Sequence, residues 1–280
     1  MSAKSETRTY PEGVPSWVDT EQPDPEAAAE FYEQLFGWTV ARVSPPGAPF
    51  YAVATLHGRD VAGLGPTGEA HATWNTYIAV DDANSAATRV VAAGGQALVP
   101  PDEVGPAGTL VRCSDPAGPS FRLWQAGRRL GAQVVNEPGT WNFSDLHTPA
   151  GDAVAFYSGV FGWVVEDLGF STLLRQPGYG DHLQVTVDPG IRERQAGIAS
   201  PSGFEDAIAW VVPLEPGASP YWNVSFAVAD RDATAALADR LGAKVLSVAD
   251  TRWTRTAVIE DTQGAVLTAS QFTPPTPPQP

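Results

Sequence analysis

Apolar and polar residues alternate in short runs that predict β-strands, and the runs are interrupted by amphipathic stretches that predict helices. The first helix has clear ends, because Asp24 is a suitable N-cap, Pro25 stands at the first helical position and Gly37 follows the last apolar residue. Short β-like runs separated by Gly and Pro turns follow each helix. The predicted helices are Ala27–Phe36, Ala83–Ala93, Asp152–Phe161 and Asp232–Leu241.

Two sequence signatures occur twice along the chain, which indicates internal duplication. The Phe-Tyr pair and the following apolar-Phe-Gly-Trp motif, which start at Phe31, return 125 positions later from Phe156. The Trp-Asn pair at Trp74 returns 148 positions later at Trp222. The second half therefore carries about 23 additional residues between its two signatures, and the irregular stretch 178–204 is the predicted site of this insertion.

The order strand, helix, three strands, repeated four times, predicts an α+β protein built from four βαβββ modules. Two modules form each predicted domain, at residues 11–130 and 131–272. Residues 1–10 are polar and residues 273–280 are mostly proline, so both ends are expected to be disordered.

Several phrases in this frame resemble the glyoxalase, bleomycin-resistance and extradiol-dioxygenase (vicinal oxygen chelate) superfamily, over about residues 12–272. They are Trp17-Val18-Asp19 before the first helix, the helix ending Leu35-Phe36-Gly37-Trp38, and Asp115-Pro116-Ala117-Gly118 before Phe121-Arg122-Leu123-Trp124. The resemblance implies tandem glyoxalase-like domains in which paired modules form two cup-shaped, eight-stranded sheets with the ligand inside. Neighbouring modules could share a cup, or the first could pair with the fourth and the second with the third.

Metal-dependent members of that superfamily hold a divalent cation with His or Glu on the first strand of each module and Glu near the end of the last strand. Arg122 falls at one of the Glu positions, and a guanidinium has no acceptor for a cation. We therefore expect no metal and no other cofactor. The residues at the corresponding positions are Trp17, Asn75, Phe143 and Asn223 on first strands, and Arg122 and Thr268 on last strands.

Strand alternation places a mixture of aromatic and polar side chains on the inner faces of the cups. Such a mixture is typical of a pocket for an organic ligand. The residues predicted to bind the ligand are Trp17, Asp19, Asn75, Tyr77, Arg122, Trp124, Phe143 and Asn223.

Asp145 and His147 lie two residues apart on one strand face and are the candidate catalytic pair. They could act as a base with its orienting group, or belong to a relocated metal site. A hydrogen-bonded polar patch without a chemical role is the alternative.

Composition and charge exclude some classes of binding partner. A formal net charge of -15 without a basic stripe argues against nucleic acid, and no apolar run approaches the length needed to span a membrane. The polar N-terminus lacks the apolar segment of a secretory signal, and Cys113 is the only cysteine, which fits the cytoplasm. Because four modules in one chain complete both cups, a monomer is expected.

Three functional hypotheses follow. The first is metal-free binding of a planar aromatic or polycyclic metabolite, either for sequestration and resistance or as a biosynthetic accessory protein, the type that the superfamily contributes to anthracycline and other aromatic polyketide pathways. The second is a lyase, isomerase, cyclase or hydroxylase acting on a similar metabolite, with or without a divalent metal. The third is an interaction module whose cups no longer bind ligands. Whether the protein is an enzyme stays open at this point.

Overall fold

A computed structural model describes residues 7–68, 71–149, 152–169, 171–198, 200–215 and 217–274. The chain forms two mixed sheets with helices on one face of each, which confirms the predicted α+β fold of tandem glyoxalase-like units. Most of the predicted disordered tail and the first six residues lie outside the described residues.

The first sheet contains the strands of modules 1 and 2, in the order β2-β3-β4-β1-β5-β9-β8-β6. A further short strand, β7, pairs with β8 and raises the strand number from the expected eight to nine. The strands are β1 Pro15–Gln22, β2 Thr39–Arg42, β3 Ala52–Leu56, β4 Arg59–Pro66, β5 Thr73–Ala79, β6 Gln96–Ala97, β7 Asp102–Glu103, β8 Gly108–Ser114 and β9 Ser120–Ala126.

The second sheet contains the strands of modules 3 and 4, in the order β11-β12-β13-β10-β14-β17-β16-β15. Neighbouring modules therefore share a sheet, which decides the question that the sequence left open. The strands are β10 Trp141–Thr148, β11 Val164–Asp167, β12 Thr172–Arg175, β13 Ala207–Pro213, β14 Tyr221–Ala227, β15 Lys244–Asp250, β16 Thr254–Glu260 and β17 Val266–Phe272.

The four predicted helices are present with ends shifted by no more than two residues. Asp24 accepts a hydrogen bond from the Ala27 backbone N–H, and Gly37 ends the helix in the left-handed conformation with a φ of 72°. Asp82 and Asp230 cap the helices of modules 2 and 4 in the same way. The helices are α1 Pro25–Phe36, α2 Ala83–Ala92, α3 Asp152–Phe161, α4 Tyr179–Thr186, α5 Ile191–Gly197 and α6 Arg231–Arg240.

Helices from different domains pack against one another between the two sheets. The apolar face of α1 shares one core with module 4, including Phe226 and Ile259, while α2 and α3 share a second core. The back of module 1 therefore lies against module 4, and the back of module 2 against module 3. This arrangement leaves the opposite face of each sheet, here called its front, free to form a site.

A repeated buried contact joins the domains across this interface. The Tyr32 hydroxyl donates to Asp261 Oδ2 (2.8 Å) and accepts from Trp74 Nε1 (3.0 Å). The equivalent Tyr157 donates to Asp115 Oδ2 (3.0 Å) and accepts from Trp222 Nε1 (2.9 Å). The tyrosine belongs to one domain and the aspartate to the other in each case, so the repeated signatures mark interface residues.

The insertion at 178–204 contains α4 and α5, although the sequence pattern indicated an irregular stretch. Both helices are short, at eight and seven residues, and neither has a side-chain N-cap, which explains why the pattern gave no helical signal. Residues 7–10, which were expected to be disordered, pack against the fold. Tyr10 donates to the Ala132 carbonyl at 2.7 Å, and His182 Nε2 lies 3.0 Å from the Thr9 carbonyl oxygen. Within the described residues, no helix is long and apolar enough to cross a membrane.

Candidate functional site

The two sheets can be compared position by position, because their strands pair in the same register. Asp19 pairs with Asn75 and Trp17 with Tyr77 in the first sheet, where Asp145 pairs with Asn223 and Phe143 with Ser225 in the second. Tyr77 in turn neighbours Arg122, as Ser225 neighbours Thr268. We call the front of the first sheet cup 1 and the front of the second sheet cup 2.

Cup 1 is occupied by its own side chains, which form a buried network around Asp19. Asp19 Oδ2 accepts hydrogen bonds from the hydroxyls of Tyr77 (2.5 Å) and Tyr51 (3.2 Å), and Oδ1 accepts from Asn75 Nδ2 (3.0 Å). Trp17 Nε1 donates to the Tyr51 hydroxyl at 3.2 Å. The Tyr51 ring lies against Gly63, where a Cβ atom would overlap it.

A second part of the cup 1 network is ionic. Glu21 pairs with Arg122 (3.3 Å) and Arg112 (2.9 Å), and the Arg122 side chain is only 5 % exposed. Burial raises the pKa of Glu21, while the charges of the two arginines lower it. Trp124 Nε1 donates to the Arg129 carbonyl at 2.8 Å. Because these groups already bind one another, cup 1 offers a ligand few free donors or acceptors.

A cavity of about 1290 Å³ extends over cup 2 and is also lined by Arg8, Tyr10, Val14 and Pro15 from the start of the chain. Along part of its wall, small hydroxyl side chains stand where cup 1 has large ones. By strand register, Ser225 corresponds to Tyr77, Thr268 to Arg122, Ser270 to Trp124 and Ser171 to Tyr51. All four of these hydroxyl residues line the cavity.

Aromatic side chains form another wall of the cavity. Trp210 on β13 lies 6.4 Å from Phe143 on β10 and 5.9 Å from Phe204 of the insertion, measured between ring centroids. Trp253 and Phe272 stack on each other, with 15° between their planes, and also line the cavity. A volume of this size with aromatic and hydroxyl walls suits a drug-sized organic molecule. The insertion contributes further lining through Tyr179, Leu183, Ile191 and Arg194.

Asp145 is the acidic group that β10 brings into the cavity lining. Its Oδ2 accepts from Ser225 Oγ at 3.2 Å and from Asn223 Nδ2 at 3.4 Å, and its Oδ1 is buried without a hydrogen bond of good geometry among the described residues. Burial raises the pKa of Asp145 to about 6, against lowering by Ser225, Asn223 and the Trp210 backbone. The pKa of Asp145 thus lies above the usual range of an aspartate and below neutral pH.

His147 does not join Asp145 in a hydrogen-bonded pair within the described structure. Its ring stacks on Tyr221, with centroids 4.4 Å apart, and it is not among the residues that line the cavity. Burial lowers the pKa of His147 to about 4, so the imidazole is neutral at pH 7. A catalytic role of His147 stays a prediction, which this geometry does not support. Asn223 also lies behind the cavity surface, where it accepts from Thr268 Oγ1 at 3.2 Å.

The residues present do not fit the divalent metal that the resemblance implies. Neither cup brings together three carboxylate, imidazole or thiolate side chains, judged over the described ranges. In cup 1 the Arg122 guanidinium lies beside Glu21, and in cup 2 Asn223 and Thr268 bond to each other. A hard cation needs several such anionic or imidazole ligands, so we assign no chemical step to a metal.

The two equivalent aspartates predict stability effects of opposite sign. Because Asp145 has a raised pKa, its ionisation destabilises the folded state as pH rises from about 4 to 6. D145N is therefore expected to be more stable than the wild type at pH 7.5, by up to about 3 kcal/mol, since one pKa unit corresponds to about 1.4 kcal/mol. The gain should disappear near pH 4. Urea unfolding at both pH values measures this difference.

D19N is the matched control for that measurement. Asp19 accepts three side-chain hydrogen bonds, and an amide in its place would direct N–H groups at donors. We expect D19N to lose about 2 to 3 kcal/mol at pH 7.5. If D145N and D19N changed the free energy of unfolding equally at pH 7.5, the two aspartates would not differ in their hydrogen bonding as described.

The structure divides the sequence-predicted site residues between the two cups. Phe143 and Asp145 line the cavity, and Asn223 supports Asp145. The six cup 1 residues do come together, each no more than 9 % exposed, in contact with one another. They are Trp17, Asp19, Asn75, Tyr77, Arg122 and Trp124; their role as ligand contacts stays a prediction.

Sequence reasoning missed much of the cavity lining. The insertion residues had no recognisable pattern. Trp210, Ser225 and Ser270 could have been found, because aligning the two halves shows a glycine replaced by tryptophan and large side chains replaced by serine. The missing step was to compare side-chain volumes at equivalent positions.

Comparison with known proteins adds to this picture. The sequence profile of the Glyoxalase/Bleomycin resistance protein/Dioxygenase superfamily matches residues 21–123. A protein named "Putative glyoxylase CFP32" from Mycobacterium tuberculosis is 37% identical over 274 residues, which cover 95% of this chain and 97% of that protein. The anthracycline biosynthesis protein DnrV of Streptomyces peucetius is 34% identical over 277 residues, which cover 92% of this chain and 93% of that protein.

Solved structures show the same fold at low sequence identity. The Mn(II)-bound glyoxalase from Novosphingobium aromaticivorans matches with a TM-score of 0.60 and 17% identity, over 93% of this chain and 82% of that one. This likeness supports the tandem arrangement of modules seen here. The relatives more than 30% identical over almost the whole chain show that the chain belongs to the glyoxalase/bleomycin resistance protein/dioxygenase superfamily.

Proposed function

We propose that the protein binds a planar aromatic or polycyclic metabolite in cup 2, without a metal. The observation that carries this proposal is the cavity of about 1290 Å³, lined by Phe143, Trp210 and Phe204 on one side and by small hydroxyl residues on another. Flat rings gain both area burial and favourable ring geometry against aromatic walls. The filled cup 1 then acts as a structural counterpart.

The named relatives favour an aromatic polyketide pathway as the setting. DnrV is an anthracycline biosynthesis protein, and its match extends over both cups. An accessory role in handling such a metabolite, or its sequestration for resistance, fits a site in which the described residues form no cluster of three metal-ligand side chains. The strands of both sheets come from one chain, so the proposed site needs no second subunit, and a monomer stays a prediction.

Binding can be assigned to one cup with a matched pair of variants. Phe143 and Trp17 occupy equivalent positions, one at the cavity and one in the filled cup. We expect F143L to weaken binding of planar aromatic probes, such as anthraquinones and an anthracycline, about fivefold to tenfold, because an aromatic contact contributes about 1 kcal/mol. W17F should change the affinity less than twofold.

Titration calorimetry and quenching of tryptophan fluorescence provide the two measurements for these variants and the wild type. Failure of the wild type to bind any planar probe at micromolar to millimolar concentration would contradict the proposal. A larger loss in W17F than in F143L would place the ligand in cup 1.

A second candidate function is catalysis on the same class of metabolite, as a lyase, isomerase, cyclase or hydroxylase. It is favoured by Asp145, which lines the cavity and has a pKa raised to about 6, suited to accepting a proton from a substrate at neutral pH. If this is correct, turnover should rise through about pH 6 and fall sharply in D145N. If the wild type and D145N both bind the metabolite and neither turns it over, the non-catalytic function is favoured.

A further inference from the structure

The two cups contain the same carboxylate with different donors. In cup 1, Asp19 accepts from two phenol groups of the chain itself, those of Tyr77 at 2.5 Å and Tyr51 at 3.2 Å. In cup 2, serines occupy the positions of both tyrosines: Ser225 that of Tyr77 and Ser171 that of Tyr51. Ser225 still donates to Asp145 at 3.2 Å. Cup 2 therefore keeps the acceptor and lacks the aromatic rings.

The space in cup 2 that corresponds to the Tyr77 ring of cup 1 is open. In cup 1, the rings of Tyr77 and Trp124 lie 6.3 Å apart in an edge-on arrangement. Their equivalents, Ser225 and Ser270, both line the cavity. Asp145 lines the same cavity as Ser225 and Ser270, so the place that two adjacent aromatic side chains fill in cup 1 belongs to the open space beside Asp145 in cup 2.

The space in cup 2 that corresponds to Tyr51 of cup 1 is lined differently. Tyr51 packs in cup 1 against Gly63, where no side chain competes for space. The residue equivalent to Gly63 in cup 2 is Trp210, whose indole forms part of the cavity wall. A ligand ring in cup 2 therefore corresponds to Tyr77 rather than to Tyr51.

Asp145 also lacks donors that Asp19 has. Asp19 accepts three side-chain hydrogen bonds, one of them short, whereas Asp145 accepts two side-chain hydrogen bonds of 3.2 Å and 3.4 Å, and beyond these it has only the Trp210 backbone N–H nearby among the described residues. A carboxylate out of water is stabilised by an added hydroxyl donor, because hydrogen bonds to charged acceptors are stronger than those between neutral groups. The tyrosine network of cup 1 shows which donor satisfies this carboxylate in this fold.

On the basis of the proposed function, we infer that the ligand of cup 2 carries a phenolic hydroxyl that donates to Asp145. Its rings lie over Ser225 and Ser270, in the place that Tyr77 and Trp124 fill in cup 1. Trp210 and Phe143 contact the ring system from the neighbouring strands. Asp145 is thus assigned as the residue that selects phenols over their ethers.

A matched pair of probes tests this assignment. 2-Naphthol has the hydroxyl, and 2-methoxynaphthalene has the same rings without a donor. Calorimetric titration at pH 7.5 should show that the wild type prefers 2-naphthol about tenfold or more, and that D145N reduces this preference to about twofold, because a charged acceptor is replaced by a neutral one. The ratio of the two affinities cancels general effects of the substitution on the cavity.

The outcomes separate this inference from the proposed function. Equal affinity of the wild type for both probes, or an unchanged preference in D145N, would overturn the phenol assignment and leave aromatic binding intact. If neither probe binds at millimolar concentration, the phenol assignment is overturned, and the proposed function is overturned with it only if the anthraquinones and the anthracycline also fail to bind.

A second variant tests the place of the ring. S225Y introduces at cup 2 the phenol that cup 1 has, so it should bind neither probe while its melting temperature stays equal to or above that of the wild type. Wild-type affinity of folded S225Y for 2-naphthol would overturn the placement over Ser225. Should S225Y fail to fold, the probe preference of D145N decides the inference.

Discussion

Replacing Arg122 by methionine is expected to lower the free energy of unfolding by about 3 kcal/mol, because it leaves the largely buried Glu21 carboxylate without its buried guanidinium partner. The Arg122 side chain is 5 % exposed and its partner Glu21 is 14 % exposed. Burial already raises the pKa of Glu21, and the loss of a positive neighbour raises it further. Urea unfolding at pH 7.5 measures the cost.

Arg112 provides an internal control, since it pairs with the same Glu21 at 2.9 Å but is 44 % exposed. R112M should cost less than about 1 kcal/mol, as is usual for ion pairs in contact with water. The cost of R122M should also shrink as pH falls and Glu21 becomes protonated in both proteins. A carboxyl whose pKa is raised in the folded state lowers the free energy of unfolding as pH rises, and this effect is larger in R122M. Similar costs for the two variants at neutral pH would show that burial of Arg122 does not matter.

Local features of the fold were predictable because each is encoded within a few neighbouring residues. The capping side chain of Asp24 and the left-handed turn at Gly37 need no tertiary information, and both are where the pattern indicated. The module order follows in the same way from strand and helix periodicity. The packing of module 1 against module 4 depends instead on contacts such as Tyr32 with Asp261, between residues 229 positions apart, and no local pattern specifies it.

The candidate site was predicted only in part for a related reason. Alternation correctly places Asp19, Tyr77 and Asp145 on front faces, because it follows from strand geometry alone. It does not say whether such a residue meets a ligand or another residue of the chain. That depends on side-chain volume across the sheet, where Ser225 leaves space and Tyr77 fills it. The composition of a front face therefore predicts a ligand site in both cups and does not distinguish the filled cup from the open one.

The buried tyrosines between the domains are expected to give another large loss of stability when their hydroxyls are removed. Y157F keeps the ring but leaves the Trp222 N–H and Asp115 Oδ2 without the hydroxyl that joins them at 2.9 Å and 3.0 Å. Tyr157 is the one side chain in the described structure that donates to this oxygen. Two unsatisfied buried groups, one of them charged, should cost about 3 kcal/mol or more in urea unfolding at neutral pH.

Y32F provides the matched comparison at the other pseudo-equivalent contact. It also leaves a tryptophan N–H unpaired, but Asp261 Oδ2 keeps a second donor, Gln22 Nε2, at 2.8 Å. The carboxylate therefore stays satisfied, and the expected cost falls to about 1.5 kcal/mol. Because each tyrosine and its aspartate belong to different domains, the losses should appear in one cooperative transition of both domains rather than in two. A greater loss in Y32F than in Y157F would contradict the view that the unsatisfied carboxylate dominates the cost.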